Sequence, residues 1–167
     1  MRLREYKSED APVIAGWIRS EEELYRWSAD IYGKFPIAGK DIDDNYCRAV
    51  SSGRFFPLTA EDEDGNVAGH FIIRYPDPDN DDSVRFGFVI VDPDIRGKGY
   101  GRQMLLLGIG YVRQKFGAGR IDLGVFDNNP KARSCYESVG FTECGEHLVD
   151  TPFGQWHCTD MEMYTDA

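Results

Sequence analysis

The sequence predicts one α/β domain, a mixed β-sheet flanked by helices. Three observations lead there. Segments with apolar residues at helical spacing are interleaved with segments that read as strands. A hairpin signal sits among the first strands, where antiparallel pairing follows, and a strand-loop-helix-strand run comes later, where parallel pairing follows. The 167 residues contain no repeat, low-complexity tract or linker that would divide them, so a single domain over 1–167 accounts for the whole chain.

Residues 2–6 alternate as a first short strand. Ser8, followed by Glu9 and Asp10, reads as a helix N-cap with acids in the first turn, and Val13, Ile14, Trp17 and Ile18 continue at helical spacing. A second helical stretch starts near Asp41 and stops at Gly53. Strands over 55–60 and 67–75 flank the turn signal Asp64-Gly65. The acidic stretch 76–82 is a loop, and 83–91 is a third strand of this run. A glycine-rich loop then opens a strong helix whose apolar face runs Leu105, Ile109, Val112 and Phe116. Residues 120–126 return as a strand, and Pro130 opens a short helix that Gly140 ends. Two last strands, near 141–150 and 155–164, are joined through Thr151-Pro152.

Composition narrows the function. Against 19 Lys and Arg stand 29 Asp and Glu, a formal net charge of -10, which argues against nucleic acid and anionic membranes as partners. No apolar run is long enough to span a membrane, and Met1-Arg2-Leu3-Arg4 is too polar to begin a signal peptide. Cys47, Cys135, Cys144 and Cys158 lack the close spacing of a zinc or redox motif, so no metal is expected and reduced thiols in a cytoplasmic protein are the default. Asp77, Asp79 and Asp81 imitate the start of a calcium loop, but Asp82 and Phe88 stand where such a loop needs Gly and Glu.

The informative segment is Asp92-Pro93-Asp94-Ile95-Arg96-Gly97-Lys98-Gly99-Tyr100-Gly101-Arg102. It leaves a strand, passes three alternating glycines and enters a long helix. Glycines let successive N–H groups turn into one concavity, and the helix N-terminus adds its own unpaired N–H groups. Arg96, Lys98 and Arg102 concentrate positive charge in an acidic chain. A phosphate or pyrophosphate explains that reversal. The spacing fits neither a Walker loop, which lacks its Lys-Ser/Thr here, nor a dinucleotide fingerprint, whose third glycine would fall one residue later.

The pattern Arg-x-x-Gly-x-Gly at 96–101 resembles the acetyl-CoA pyrophosphate loop of the GNAT superfamily of N-acetyltransferases. A second block strengthens the resemblance: Asn129, Ala132, Tyr136, then Gly140-Phe141. The match covers residues 83–141. It implies a centrally splayed sheet and acetyl-CoA as cosubstrate. Val89, Ile90 and Val91 would meet the pantetheine arm, and Arg96, Gly97, Lys98, Gly99, Tyr100, Gly101 and Arg102 would hold the pyrophosphate. Asn129 would bond the pantetheine or order the loop there. Tyr136 would protonate the leaving thiolate, and the acetyl group would pass directly to a primary amine, small-molecule or peptide, within a ternary complex. A homodimer is compatible with the family.

Many members carry Glu on the strand before the loop, where this chain has Arg85, two residues ahead of Gly87. His70 and Glu21, Glu22 and Glu23 are the candidate replacements for that base. The amine must lose a proton first, which costs about 4 kcal/mol for an alkyl amine near neutral pH. Cys135 beside Tyr136 has no nearby His in sequence to activate it. His147 and His157 are too far apart to read as a metal pair. Trp17, Tyr25 and Trp27 suit either a cleft wall or the core. The segment Gly154-Gln155-Trp156 to Met161-Glu162-Met163-Tyr164 loosely resembles the branch acting on ribosomal-protein N-termini. Two other readings stand beside the acetyltransferase: a non-catalytic CoA-binding module, motivated by Arg85, and a nucleotide-binding domain.

Overall fold

A computed structural model describes residues 1–165. Seven strands form one sheet in the order β1-β2-β3-β4-β5-β7-β6. They are β1 Arg2–Glu5, β2 Phe55–Glu61, β3 Val67–Arg74, β4 Ser83–Val91, β5 Arg120–Phe126, β6 Thr142–Thr151 and β7 Gly154–Tyr164. Five helices accompany them: α1 Ala11–Gly16, α2 Glu21–Ser28, α3 Gly39–Val50, α4 Tyr100–Lys115 and α5 Pro130–Ser138. The α/β class, the single mixed sheet and nearly every strand boundary agree with the sequence reading.

The N-terminal helices differ from it. Ser8 is not a cap. Asp10 reaches back to accept the Lys7 N–H at 3.0 Å, and Arg4 clamps both of its oxygens at 2.7 and 2.8 Å. Ser8 is already the first residue of a 3-10 turn, and Lys7 holds the cap position. The helix ends at Gly16, so Trp17 and Ile18 lie beyond it, buried by packing rather than by helical phase. The Glu run opens a separate helix, α2, where the Ser20 hydroxyl accepts the Glu23 N–H. In α3 the start moves to Gly39, and Asp41 closes the first turn by accepting the Ala38 N–H at 2.8 Å. The acidic loop is pinned by Arg54, which donates to Asp77 O and Asp81.

Two cores sandwich the sheet. One lies under α4 and α5 and includes Phe71, Phe86, Leu105, Ile121 and Tyr136. The other lies under α1–α3 and includes Ile14, Ile42, Tyr46 and Ile72. Gly108 lets α4 sit close on the sheet, since a Cβ there would stand 2.7 Å from Phe71.

The feature that makes a site is a defect in β4. Ile72 pairs with Gly87 and His70 with Ile90, so two residues of β4 oppose Phe71 of β3. Phe88 takes a φ of 50°, rare for a bulky side chain. Such a bulge bends its strand. Consistent with that bend, β4 and β5 pair in parallel only over Ser83–Arg85 against Arg120–Asp122. Beyond Arg85 the two strands part.

Candidate active site

The gap between β4 and β5 continues into a cleft of about 750 Å³. Phe86 to Val91 form one wall and Leu123 to Phe126 the other. The glycine loop, α5 and the α1–α2 corner complete it. Asp92 N–H bonds Ala68 O of β3 at 3.0 Å. Antiparallel alternation then turns the N–H group of Val91 away from β3, toward the gap, while Val89 lies in the bulge. The Val91 N–H is a strand-edge donor that β5 would have satisfied had it stayed in register.

At the end of β4 the Asp92 carboxylate accepts the Asp94 N–H at 2.9 Å and starts the loop. Gly97 and Gly99 have φ of 78° and 84°, positions that glycine fills without strain. Gly99 is the N-cap of α4, whose first turn contains no acid. Arg96 braces the loop through its Nε, which donates to Val91 O at 3.1 Å. The side chains of Lys98 and Arg102 make no hydrogen bond or ion pair with the described residues. A helix N-terminus, open N–H groups and unspent cations together form an anion cradle.

Of the residues singled out in sequence, Val89, Ile90, Val91, Arg96, Gly97, Gly99, Gly101, Arg102, Asn129 and Tyr136 all line this cleft. Lys98 in the loop and Tyr100, the first residue of α4, do not line it. Gly101 lies where α4 meets α5, and a Cβ there would stand 3.3 Å from Cys135 Sγ. Asn129 caps α5, its Oδ1 accepting the Ala132 N–H at 3.4 Å. Tyr136 is buried on α5, and burial, with Cys135 adding to it, pushes its phenol well above the ordinary range. The hydroxyl makes no hydrogen bond to the described residues. It is therefore a protonated, unspent donor at the cleft. Burial likewise raises the Cys135 thiol, which keeps it un-ionised near neutral pH.

The candidate bases separate cleanly. Arg85 points away from the cleft to bond Asp122 at 2.7 Å, locking the vertex where the strands still pair. His70 is fully buried on the α1–α3 side, bonded to the Tyr46 hydroxyl at 2.7 Å. Burial depresses its pKa to about 3, and it does not line the cleft. Glu22 pairs with Arg26 at 2.7 Å, and Glu21 is exposed on α2. Among the described residues, Glu23 is the only acidic one that lines the cleft. Its Oε2 accepts the Arg19 N–H at 2.8 Å, which fixes the side chain at the start of α2. Trp17 and Trp27 line the cleft beside it. Tyr25 does not, and packs instead with Phe126, Phe153 and Trp156.

The sheet thus splits beside a glycine cradle, with the Tyr136 phenol lining the gap. The chain belongs to the acetyltransferase (GNAT) family, whose model matches residues 21–141. Among curated relatives, a UPF0039 protein of Schizosaccharomyces pombe is 34% identical over 73 residues, covering 44% of this chain and 47% of that one. A mycothiol acetyltransferase of Rhodococcus jostii is 30% identical over 131 residues, covering 74% of this chain and 43% of that one. This chain thus spans less than half the length of those two relatives. The spermidine N-acetyltransferase of Vibrio cholerae, solved with CoA and spermine, superposes with a TM-score of 0.78 at 22% identity, covering 98% of this chain and 94% of that one. That likeness establishes the fold.

Proposed function

We propose that the chain transfers an acetyl group from acetyl-CoA to a primary amine by direct attack in a ternary complex. The observation that carries this is the gap itself. It offers an unpaired strand edge along one wall, an anion cradle at one end and a donor phenol inside. Main-chain N–H groups of Val89 and Val91 bond the pantetheine arm and the thioester oxygen as charge grows on it. The loop from Gly97 to Gly101, with Lys98 and Arg102, neutralises the pyrophosphate. Amine nitrogen attacks the acetyl carbon, the C–S bond breaks, and the Tyr136 hydroxyl gives its proton to sulfur.

Glu23 is the proposed acceptor of the amine proton, directly or through one water. It supplies the carboxylate that Arg85 displaces from β4. Trp17 and Trp27 flank it, and aromatic faces beside a carboxylate suit a cationic amine before deprotonation. Such an acceptor is of the same kind as the spermine bound in the Vibrio cholerae enzyme. The strongly acidic chain also favours a small amine over an anionic acceptor.

Thiol release from acetyl-CoA across a panel of polyamines, arylalkylamines, aminoglycosides and peptides tests the reading. Turnover on at least one amine is expected, with CoA raising the melting temperature more than ATP or NAD does. CoA binding without turnover on the panel favours the non-catalytic module, and protection by a nucleotide alone overturns both. Glu23→Gln keeps an oxygen for the Arg19 N–H, so the start of α2 survives. It is expected to lower kcat by roughly 10²-fold at fixed CoA affinity. A loss below about twofold removes Glu23 from the proton path.

A further inference from the structure

The face of β5, β7 and β6 carries a cluster that acetyl transfer does not use. His147 on β6 stands opposite Cys158 on β7. Asp160 lies two residues further along β7, on the same face. His147 Nδ1 and Asp160 Oδ2 are 2.9 Å apart. One imidazole nitrogen, the Cys158 sulfur and one Asp160 oxygen all lie within 4.8 Å of one another. Two donors at i and i+2 with a third from the facing strand converge above the sheet.

Gly124 of β5 keeps the floor of this cluster open. A Cβ there would stand 3.2 Å from Cys158 Sγ, 3.8 Å from Asp160 Oδ1 and 2.9 Å from Arg85 Nη2. Arg85 is the nearby cation, 3.7 Å from Asp160 Oδ1, while its shorter bond goes to Asp122. The Asp160 oxygen bonded to His147 is the other one, Oδ2. A thiolate and a carboxylate carry two negative charges, so a dication leaves the donor set neutral and the Arg85–Asp122 pair undisturbed.

We propose that His147, Cys158 and Asp160 form a binding site for one divalent transition metal of the zinc class. A thiolate, an imidazole and a carboxylate match Zn²⁺ or Co²⁺, whereas Ca²⁺ and Mg²⁺ take oxygen donors. Tetrahedral ligands stand roughly 3.3–3.6 Å apart, a spacing between the 2.9 Å of the His147–Asp160 contact and the 4.8 Å limit of the set, so small side-chain movements reach it. On binding, the metal–sulfur bond replaces S–H and the proton leaves to solvent. The fourth position faces water, and the metal ties the edge strand β6 to β7.

Cobalt titration of the reduced, chelator-treated full chain tests this. One equivalent of Co²⁺ is expected to give the near-ultraviolet thiolate-to-cobalt absorption with tetrahedral ligand-field bands, and Zn²⁺ to abolish both. Cys158→Ser should remove the thiolate band. His147→Gln, at an exposed position that leaves folding intact, should weaken Co²⁺ binding about tenfold or more. Cys144→Ser should change nothing. A missing thiolate band at excess Co²⁺, or one that survives Cys158→Ser, overturns the site. Both readouts are independent of acetyl transfer.

Discussion

Tyr136→Phe is expected to lower kcat by roughly 10²–10⁴-fold while leaving CoA affinity and folding stability nearly unchanged. The expectation rests on what the hydroxyl does and does not touch. Tyr136 packs its ring into the α4–α5 core, against Phe141 among others, and phenylalanine preserves that packing. The hydroxyl spends no hydrogen bond on the described residues, so its removal leaves no partner stranded. Because burial keeps the phenol protonated, the wild-type pH–rate profile should show no loss of this donor as pH rises through the ordinary tyrosine range. Single-turnover kinetics with a thiol reporter, beside a CoA thermal shift, separate chemistry from binding. A variant that turns over within about threefold of wild type would show that water or another group protonates the thiolate.

Acidification is expected to destabilise the fold through His70, by about 2.3 kcal/mol between pH 6.5 and 4.5. The folded pKa is depressed to about 3, mainly by burial, against ~6.5 in the unfolded chain. Below the unfolded value the unfolded state takes up a proton that the folded state refuses. Stability therefore falls as pH drops, at about 1.4 kcal/mol per unit, until the folded value is reached. Tyr46, buried and bonded to the same ring, shares the cost of any rearrangement. Asp10 adds to the acid sensitivity at lower pH. Burial opposes its ionisation, but bonds from Arg4, the Lys7 N–H and Thr59 outweigh that and hold its carboxyl below the usual range. Its contribution is present above about pH 4 and is lost as pH falls through the lowered value. Urea unfolding at two pH values, for wild type and His70→Gln, isolates the histidine. Equal pH dependence in both proteins would mean that His70 titrates normally.

Much of the site was legible because its signals are local. A glycine with positive φ at 97 and 99, an Asn cap at 129 and a tyrosine seven residues later are each set by short-range backbone geometry, so spacing alone exposes them. Strand periodicity marked all seven strands to within a residue at either end. The α1–α2 corner was not legible, because Trp17 and Ile18 keep helical phase while the backbone has already left the helix, and only packing reveals that. The bulge at Phe88 was equally hidden, since a phenylalanine gives no hint of a φ of 50°.

Long-range pairing hid the rest. Arg85 looks like a missing base until Asp122, 37 residues on, is seen to bind it. Glu23 reads as one of three equivalent acids until the fold places it alone on the cleft. His147, Cys158 and Asp160 have no motif spacing because a hairpin, rather than a helix or knuckle, brings them together.

The sequence by itself determined the fold class and the basic glycine loop that opens α4, because each is encoded in contiguous residues whose backbone needs are strict. The tertiary structure decided which carboxylate lines the cleft, which histidine is buried, and which donors meet on the β6–β7 face. Those outcomes depend on burial and on charge partners drawn from distant strands, and neither quantity exists until the chain has folded.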